Sequence, residues 1–435
     1  MLSQLGHVMM GVTDSIMVGH VGPTSLAAVS LANVVFNVLL LFGIGVSYAI
    51  TPLVASAHGE GKDNEIAAVV RHGLVINVVN GIVLAVAVWV GKNFLHYIGQ
   101  PEPVVNLAIP YLSIVATSMI PVLIFQTLRQ FTEGLTLTRV AMVVILVSNV
   151  VNIALNYLLI FGHMGFPALG LEGAGWATFF SRIIMCVAII LYVNKSVQFA
   201  RYPALLAIGN YSKALFNKML HIGIPAGLQF IFEVVAFDFS AIMMGWLGTK
   251  TLAAHQIAIN LATISYMTTS GLAAAATIRV GYFLGRRDGV NLRQSAFTLL
   301  GMAMTIMLAW ALLFILGRHM LPHLYIGDAD VIAIASPLLI IAGLFQLSDG
   351  AQVVCIGALR GLQDVKIPSL FIFIAYWVIG LPLGYWLGFK VGLGAQGIWL
   401  GLLTGLSITA SVMFTRFVWL SKKQAAKTTG ATVIP

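Results

Sequence analysis

The sequence predicts an all-α polytopic membrane protein in which twelve transmembrane helices form two parallel-repeat six-helix lobes around a central cavity. Composition is the first reason: 59% of the 435 residues are hydrophobic and 9% charged, with a mean hydropathy of +0.97, whereas about a quarter of an ordinary soluble domain is charged. The second is the shape of the apolar runs. They extend over about 20 residues without the two-residue alternation of a barrel strand, and only helices or closed barrels satisfy every backbone polar group in hydrocarbon. The third is a repeat. Residues 16–28, IMVGHVGPTSLAA, align with residues 242–254, IMMGWLGTKTLAA, at an offset of 226 with seven of thirteen positions identical. Six helices per copy is an even number, so both copies insert in the same sense about an axis along the membrane normal.

Turn residues and charges divide the first lobe (1–195) into helices near residues 1–20, 26–57, 66–92, 104–128, 140–161 and 172–195. The first is short for a span, which reads as a start slightly inside the true first span or as a helix reaching only part-way. In the second lobe (218–420) the helices lie near residues 218–246, 252–284, 293–317, 332–358, 369–390 and 396–420. Residues 196–217, with Pro203 and Gly209, form the expected cytoplasmic linker between lobes, and residues 421–435 a disordered cytoplasmic tail. Pro52, Pro121, Pro225, Pro337 and Pro382 fall in or beside spans, where a missing N–H permits a kink.

Of the 23 Lys and Arg residues, eighteen lie in loops on the side of the C-terminus. The positive-inside rule then places both termini in the cytoplasm, with the chain in a bacterial-type inner membrane. The same distribution accounts for the net charge of +9 without nucleic acid. Cys186 and Cys355 sit in apolar runs, where a thiol behaves as a small hydrophobe. No GxxxxGK[ST], CxxC or HExxH spacing is present, so neither an enzyme nor a cofactor is expected. Energy then comes from an ion gradient, in which each charge moved is worth about 2.3 kcal/mol per 100 mV.

Against this apolar background four carboxylates stand inside spans, Asp14, Glu233, Asp238 and Asp349, with Arg182 as the comparable base. A charge at a helix centre costs about 2.5–3.5 kcal/mol, so such groups face a cavity or a partner. A net acidic interior favours cations, as cargo or as coupling ions. Gln229 lies one turn before Glu233 on the same face, whereas Asp238, further along the helix, points about 140° away. Asn149, Asn152 and Asn156 form a stripe on helix five, and Gln256 and Asn260 a similar pair on helix eight. For each amide the competing reading is interhelical packing, since amides join membrane helices without further function.

Taken in order, Asp14-Ser-Ile-Met-Val-Gly, Asn152-Ile-Ala-Leu-Asn156, Phe232-Glu233-Val, Leu252-Ala-Ala-His-Gln256, Asp349 and Leu359-Arg-Gly-Leu-Gln-Asp364 resemble the multidrug and toxic compound extrusion (MATE) family, on its NorM-type branch, across nearly the whole chain. The resemblance implies a V-shaped cavity between the lobes and a secondary active antiporter exporting organic cations in exchange for Na+ or H+. By position, Glu233 and Asp349 match the family's C-lobe cation-site acids, where Na+ would bind. Asp14 with Asn152 and Asn156 matches its N-lobe acidic network, and Gln229 joins the coupling set. Gln256, Asn260, Phe345 and Asp238 are the expected substrate-facing residues.

The chain departs from the family pattern twice. A Tyr often stands one turn before the helix-ten acid, and Phe345 here lacks that hydroxyl; Asp238 lies outside the pattern. The expected partners are a small cationic substrate and the bilayer, with the protein a monomer. A lipid-linked oligosaccharide flippase of the same superfamily is the neighbouring alternative, but phosphate-bearing cargo calls for an interior of Arg and Lys. An intramembrane enzyme would need a nucleophile and base, or metal ligands, on facing helices, and ten scattered histidines do not supply them.

Overall fold

The structure, a computed structural model, describes residues 2–97, 99–202, 205–207 and 209–429, and their side chains apart from those of residues 2–9, 12 and 427–429. Among these residues there is no strand. The first six rods are α1 (Leu2–Gly19), α2 (Pro23–Ser47) continued by α3 (Ile50–Glu60), α4 (Asp63–Gly91), α5 (Glu102–Thr117) continued by α6 (Met119–Gly134), α7 (Thr138–Phe161) and α8 (Gly170–Lys195). The second six are α9 (Lys213–Trp246), α10 (Thr249–Gly285), α11 (Gly289–Leu316), α12 (Ala329–Gly361), a rod containing α13 (Lys366–Phe373) and α14 (Leu381–Tyr385), and α15 (Gly394–Thr429). Ten of the twelve are long and apolar enough to cross a membrane; α1 and α10 complete the set.

The interruptions follow proline. A proline at position i offers no N–H to the carbonyl at i−4. Pro52 and Pro121 withdraw that donor from Tyr48 and Thr117, which are the places where α2 gives way to α3 and α5 to α6. Around Pro382 the rod widens into π-helical turns at Ile374–Gly380 and Trp386–Lys390, flanking α14.

The chain forms two compact units, one of Leu2–Val54 with Lys62–Gly227 and the other of Ala55–Gly61 with Leu228 onward. The division thus falls inside α9 rather than in the linker 196–217. The reason is close packing at the start of α9, where a Cβ on Gly223 would lie 2.6 Å from the Val46 carbonyl oxygen and one on Gly227 would lie 2.8 Å from that of Phe42. The linker packs onto the same unit: Phe199 and Tyr202 are buried against Phe131, and the Ser212 N–H donates to His72 Nε2 at 2.8 Å.

Each unit repeats one helix junction. In the N-terminal unit Thr51 Oγ1 donates to the Gln130 carbonyl at 3.2 Å, and a Cβ on Gly134 would strike the Val54 side chain at 2.8 Å. In the C-terminal unit Thr277 Oγ1 donates to the Gly357 carbonyl at 2.8 Å, and a Cβ on Gly361 would strike Val280 at 2.8 Å. Thr277 and Val280 are the residues that the sequence offset of 226 places on Thr51 and Val54. At the centre of the C-terminal unit, α12 packs against α10, α11 and α15.

The tail departs from expectation. Where composition predicts disorder from residue 421, α15 continues to Thr429 because a partner surface receives it: Gly289, opening α11, lies where a Cβ would come within 2.4 Å of Ala425 Cα, and Ser421 is fully buried. Residues 430–435 of that predicted tail lie outside the described residues.

Candidate functional site

The N-terminal unit holds a buried acid with its own donors. Asp14, on α1 and 3% exposed, accepts from Asn156 Nδ2 of α7 on one oxygen and from Thr178 Oγ1 of α8 on the other, both at 2.6 Å. Asn156 Nδ2 also donates to Asn152 Oδ1 at 3.2 Å, and Asn152 Nδ2 reaches Thr178 Oγ1 at 3.5 Å. The expected cluster of Asp14, Asn152 and Asn156 is therefore brought together, because the spacing of the two asparagines turns both toward α1. Thr178 is an addition. Arg182, one turn after Thr178, lies within electrostatic range of Asp14 and Tyr111; it donates to Ser118 Oγ at 2.6 Å and stacks over the Phe36 ring. Asn149, the first member of the stripe, is also buried.

The C-terminal unit holds two acids. Glu233, partly buried on α9, and Asp349, 5% exposed on α12, lie within electrostatic range of each other. Glu233 Oε1 accepts from Gln352 Nε2 at 2.8 Å, and Gln352 Oε1 accepts from the Tyr376 hydroxyl at 3.3 Å. Tyr376 lies in the first π-helical turn and within electrostatic range of both acids, while Arg360 lies within that range of Glu233. Gln229 is 2% exposed and its Oε1 has no hydrogen-bond partner among the described residues. It adds an unused oxygen to the face that carries Glu233.

Beyond this pair the expected residues disperse. Phe345, expected to face the substrate, is 4% exposed and packs between Phe237 and Trp399, with ring centroids 6.0 Å from each. Asp238, Gln256 and Asn260 are exposed on α9 and α10. Sequence reasoning missed Gln352, Tyr376 and Thr178. Gln352 was findable, since it follows Asp349 by less than one turn; Thr178 and Tyr376 carry no local signal. Among the described residues no group of three or more His, Cys, Asp or Glu side chains is placed to hold a metal ion.

A family model described as MatE matches residues 1–158 and 225–386, one block on each repeat. The chain belongs to the MatE family. Its relatives include a probable multidrug resistance protein NorM of Rhizobium meliloti, 36% identical over 98% of this chain and 92% of that one. A multidrug resistance protein NorM of Photobacterium profundum is 33% identical over 97% and 93% of the two chains. Among solved structures the fold is similar to that of a MATE protein in a bent conformation, with TM-score 0.90 at 19% identity over 98% of this chain and 94% of that one. The same holds for a straight conformation, with TM-score 0.86 at 20% identity over 97% and 94%. Membership in MatE makes this a multi-pass membrane protein of twelve helices and agrees with the doubled six-helix plan.

Proposed function

We propose that the protein is a secondary active antiporter exporting organic cations across a bacterial inner membrane, with both termini in the cytoplasm, in exchange for Na+ or H+. The observation that carries this reading is the Glu233–Asp349 pair, two carboxylates within range of one another with a single amide donor on Glu233. Two neighbouring carboxylates cannot both stay ionised without a compensating charge. A proton or a hard monovalent cation supplies it, and Gln229 Oε1 and the Tyr376 hydroxyl add the neutral oxygens that such a cation favours. Tyr376 offsets the hydroxyl missing at Phe345.

An ion drives transport only by binding the two conformations unequally. In the proposed cycle the incoming cation neutralises Glu233 and Asp349 and so weakens their hold on a cationic cargo. Asp14 is the second station: protonation turns one of its acceptor oxygens into a donor and disrupts the pattern with Asn156 and Thr178, which frees α1 to bend. The names of the NorM relatives support multidrug compounds as cargo. The test is ethidium efflux from proteoliposomes under an imposed Na+ gradient and, separately, an imposed pH gradient. At least one of the two gradients is expected to drive efflux in the wild type and neither in Glu233→Gln/Asp349→Asn. Undiminished uphill efflux by that variant at normal expression overturns the reading.

A further inference from the structure

We propose that the C-terminal unit carries a binding site for an anionic glycerophospholipid at the turn between α11 and α12, separate from the acid pair. A cavity of about 480 Å³ opens there, bounded by Arg318, His319 and His323 on the turn and by Ala333, Ser336 and Pro337 on α12. Its donors converge. Arg318 Nε donates to His319 Nε2 at 3.1 Å, which puts the His319 proton on Nδ1 and leaves the terminal guanidinium nitrogens of Arg318 for another acceptor. Ser336 Oγ donates to the Arg318 carbonyl at 3.1 Å and so fixes the turn against α12. The acids nearest in sequence, Asp328 and Asp330, are both paired with Lys250 and so do not neutralise Arg318.

An acceptor stands beside these donors. Pro337 has no N–H to offer the Ala333 carbonyl, and both residues line the cavity. Donors for a phosphate next to a carbonyl that lacks its usual helical donor suit a phosphatidylglycerol headgroup. What favours a lipid over free phosphate is the surrounding surface: Leu316, Met320 and Leu324, on the segment that carries Arg318 and His323, are 80%, 73% and 72% exposed. A glycerophospholipid places its phosphate on the cationic turn and its acyl chains on these side chains in one molecule.

The test is native mass spectrometry of the full-length protein in detergent, titrated with phosphatidylglycerol, with phosphatidylcholine, and with phosphatidylglycerol plus an excess of inorganic phosphate. One phosphatidylglycerol is expected to be retained per chain in preference to phosphatidylcholine and in the presence of phosphate. Arg318→Gln is expected to weaken retention about fivefold, the effect of one cation at a lipid surface. Ala333→Phe, which fills the cavity from an exposed position without changing charge, is expected to weaken it at least as much. Equal retention of the two lipids, or retention unchanged in both variants, overturns the site; displacement by inorganic phosphate overturns the lipid assignment. Binding is read directly, so the outcome is independent of whether the acid pair couples transport.

Discussion

The two units bury their acids on opposite plans. Asp14 has a donor at 2.6 Å on each carboxylate oxygen and Arg182 within electrostatic range, so both of its oxygens already have partners within the protein. Glu233 accepts from the Gln352 amide and lies within electrostatic range of Asp349, and the base within range of Glu233 is Arg360. The first arrangement is complete without an added ion; the second is short of positive charge. On the proposed reading a cation gains more at the second site than at the first, and the difference is set by the number of donors facing each acid rather than by depth of burial.

Removing the second arrangement is expected to have the largest effect. In proteoliposomes at 100 mV, Glu233→Gln/Asp349→Asn loses the coupling of one charge and with it about fiftyfold in the steady-state dye gradient, since one charge is worth about 2.3 kcal/mol. Gln352→Leu deprives Glu233 of its donor and Tyr376 of its acceptor while leaving both acids in place. Cation affinity, measured by titrating transport against external ion, should fall about tenfold, as when a residue that positions a ligand is lost. These two variants test whether charge or orientation dominates at the acid pair.

The first arrangement should respond in stability instead. Asp14→Ala leaves Asn156 and Thr178 without their acceptor, and thermal unfolding of the purified protein should report a loss of about 2 kcal/mol, the scale of an unpaired buried polar group. Asp14→Asn keeps the shape and should lose less. Thr178→Val removes one donor and should lose about 1 kcal/mol or below, because hydrogen bonds between membrane helices average less than those in water-soluble cores. A drop in stability for the Glu233 and Asp349 variants as large as that for Asp14→Ala would erase the contrast between the two units.

The fold was legible because its determinants are local or periodic. Apolar length sets the rods, the repeat sets their pairing, and Pro52 and Pro121 interrupt their rods because proline supplies no helical N–H. The tail was misjudged because Gly289, which receives Ala425, lies more than a hundred residues earlier in the chain. In the sites, acids and asparagines stood out because each is costly in hydrocarbon. Thr178 and Tyr376 did not, since hydroxyls are common in membrane helices and their roles depend on which helix faces them. Phe345 was expected to face the substrate by analogy, and its packing against Phe237 and Trp399 depends on helices distant in sequence.

Cation binding to the purified full-length protein compares the two units most directly. Isothermal titration with Na+ at fixed pH, alongside pH titration in weakly buffered solution, would be run on the wild type, Glu233→Gln/Asp349→Asn and Asp14→Asn. The expected result is a saturable binding event, for Na+ or for H+, that disappears in the double variant and persists in Asp14→Asn. Persistence in the double variant with loss in Asp14→Asn would contradict it and move the coupling site to the N-terminal unit.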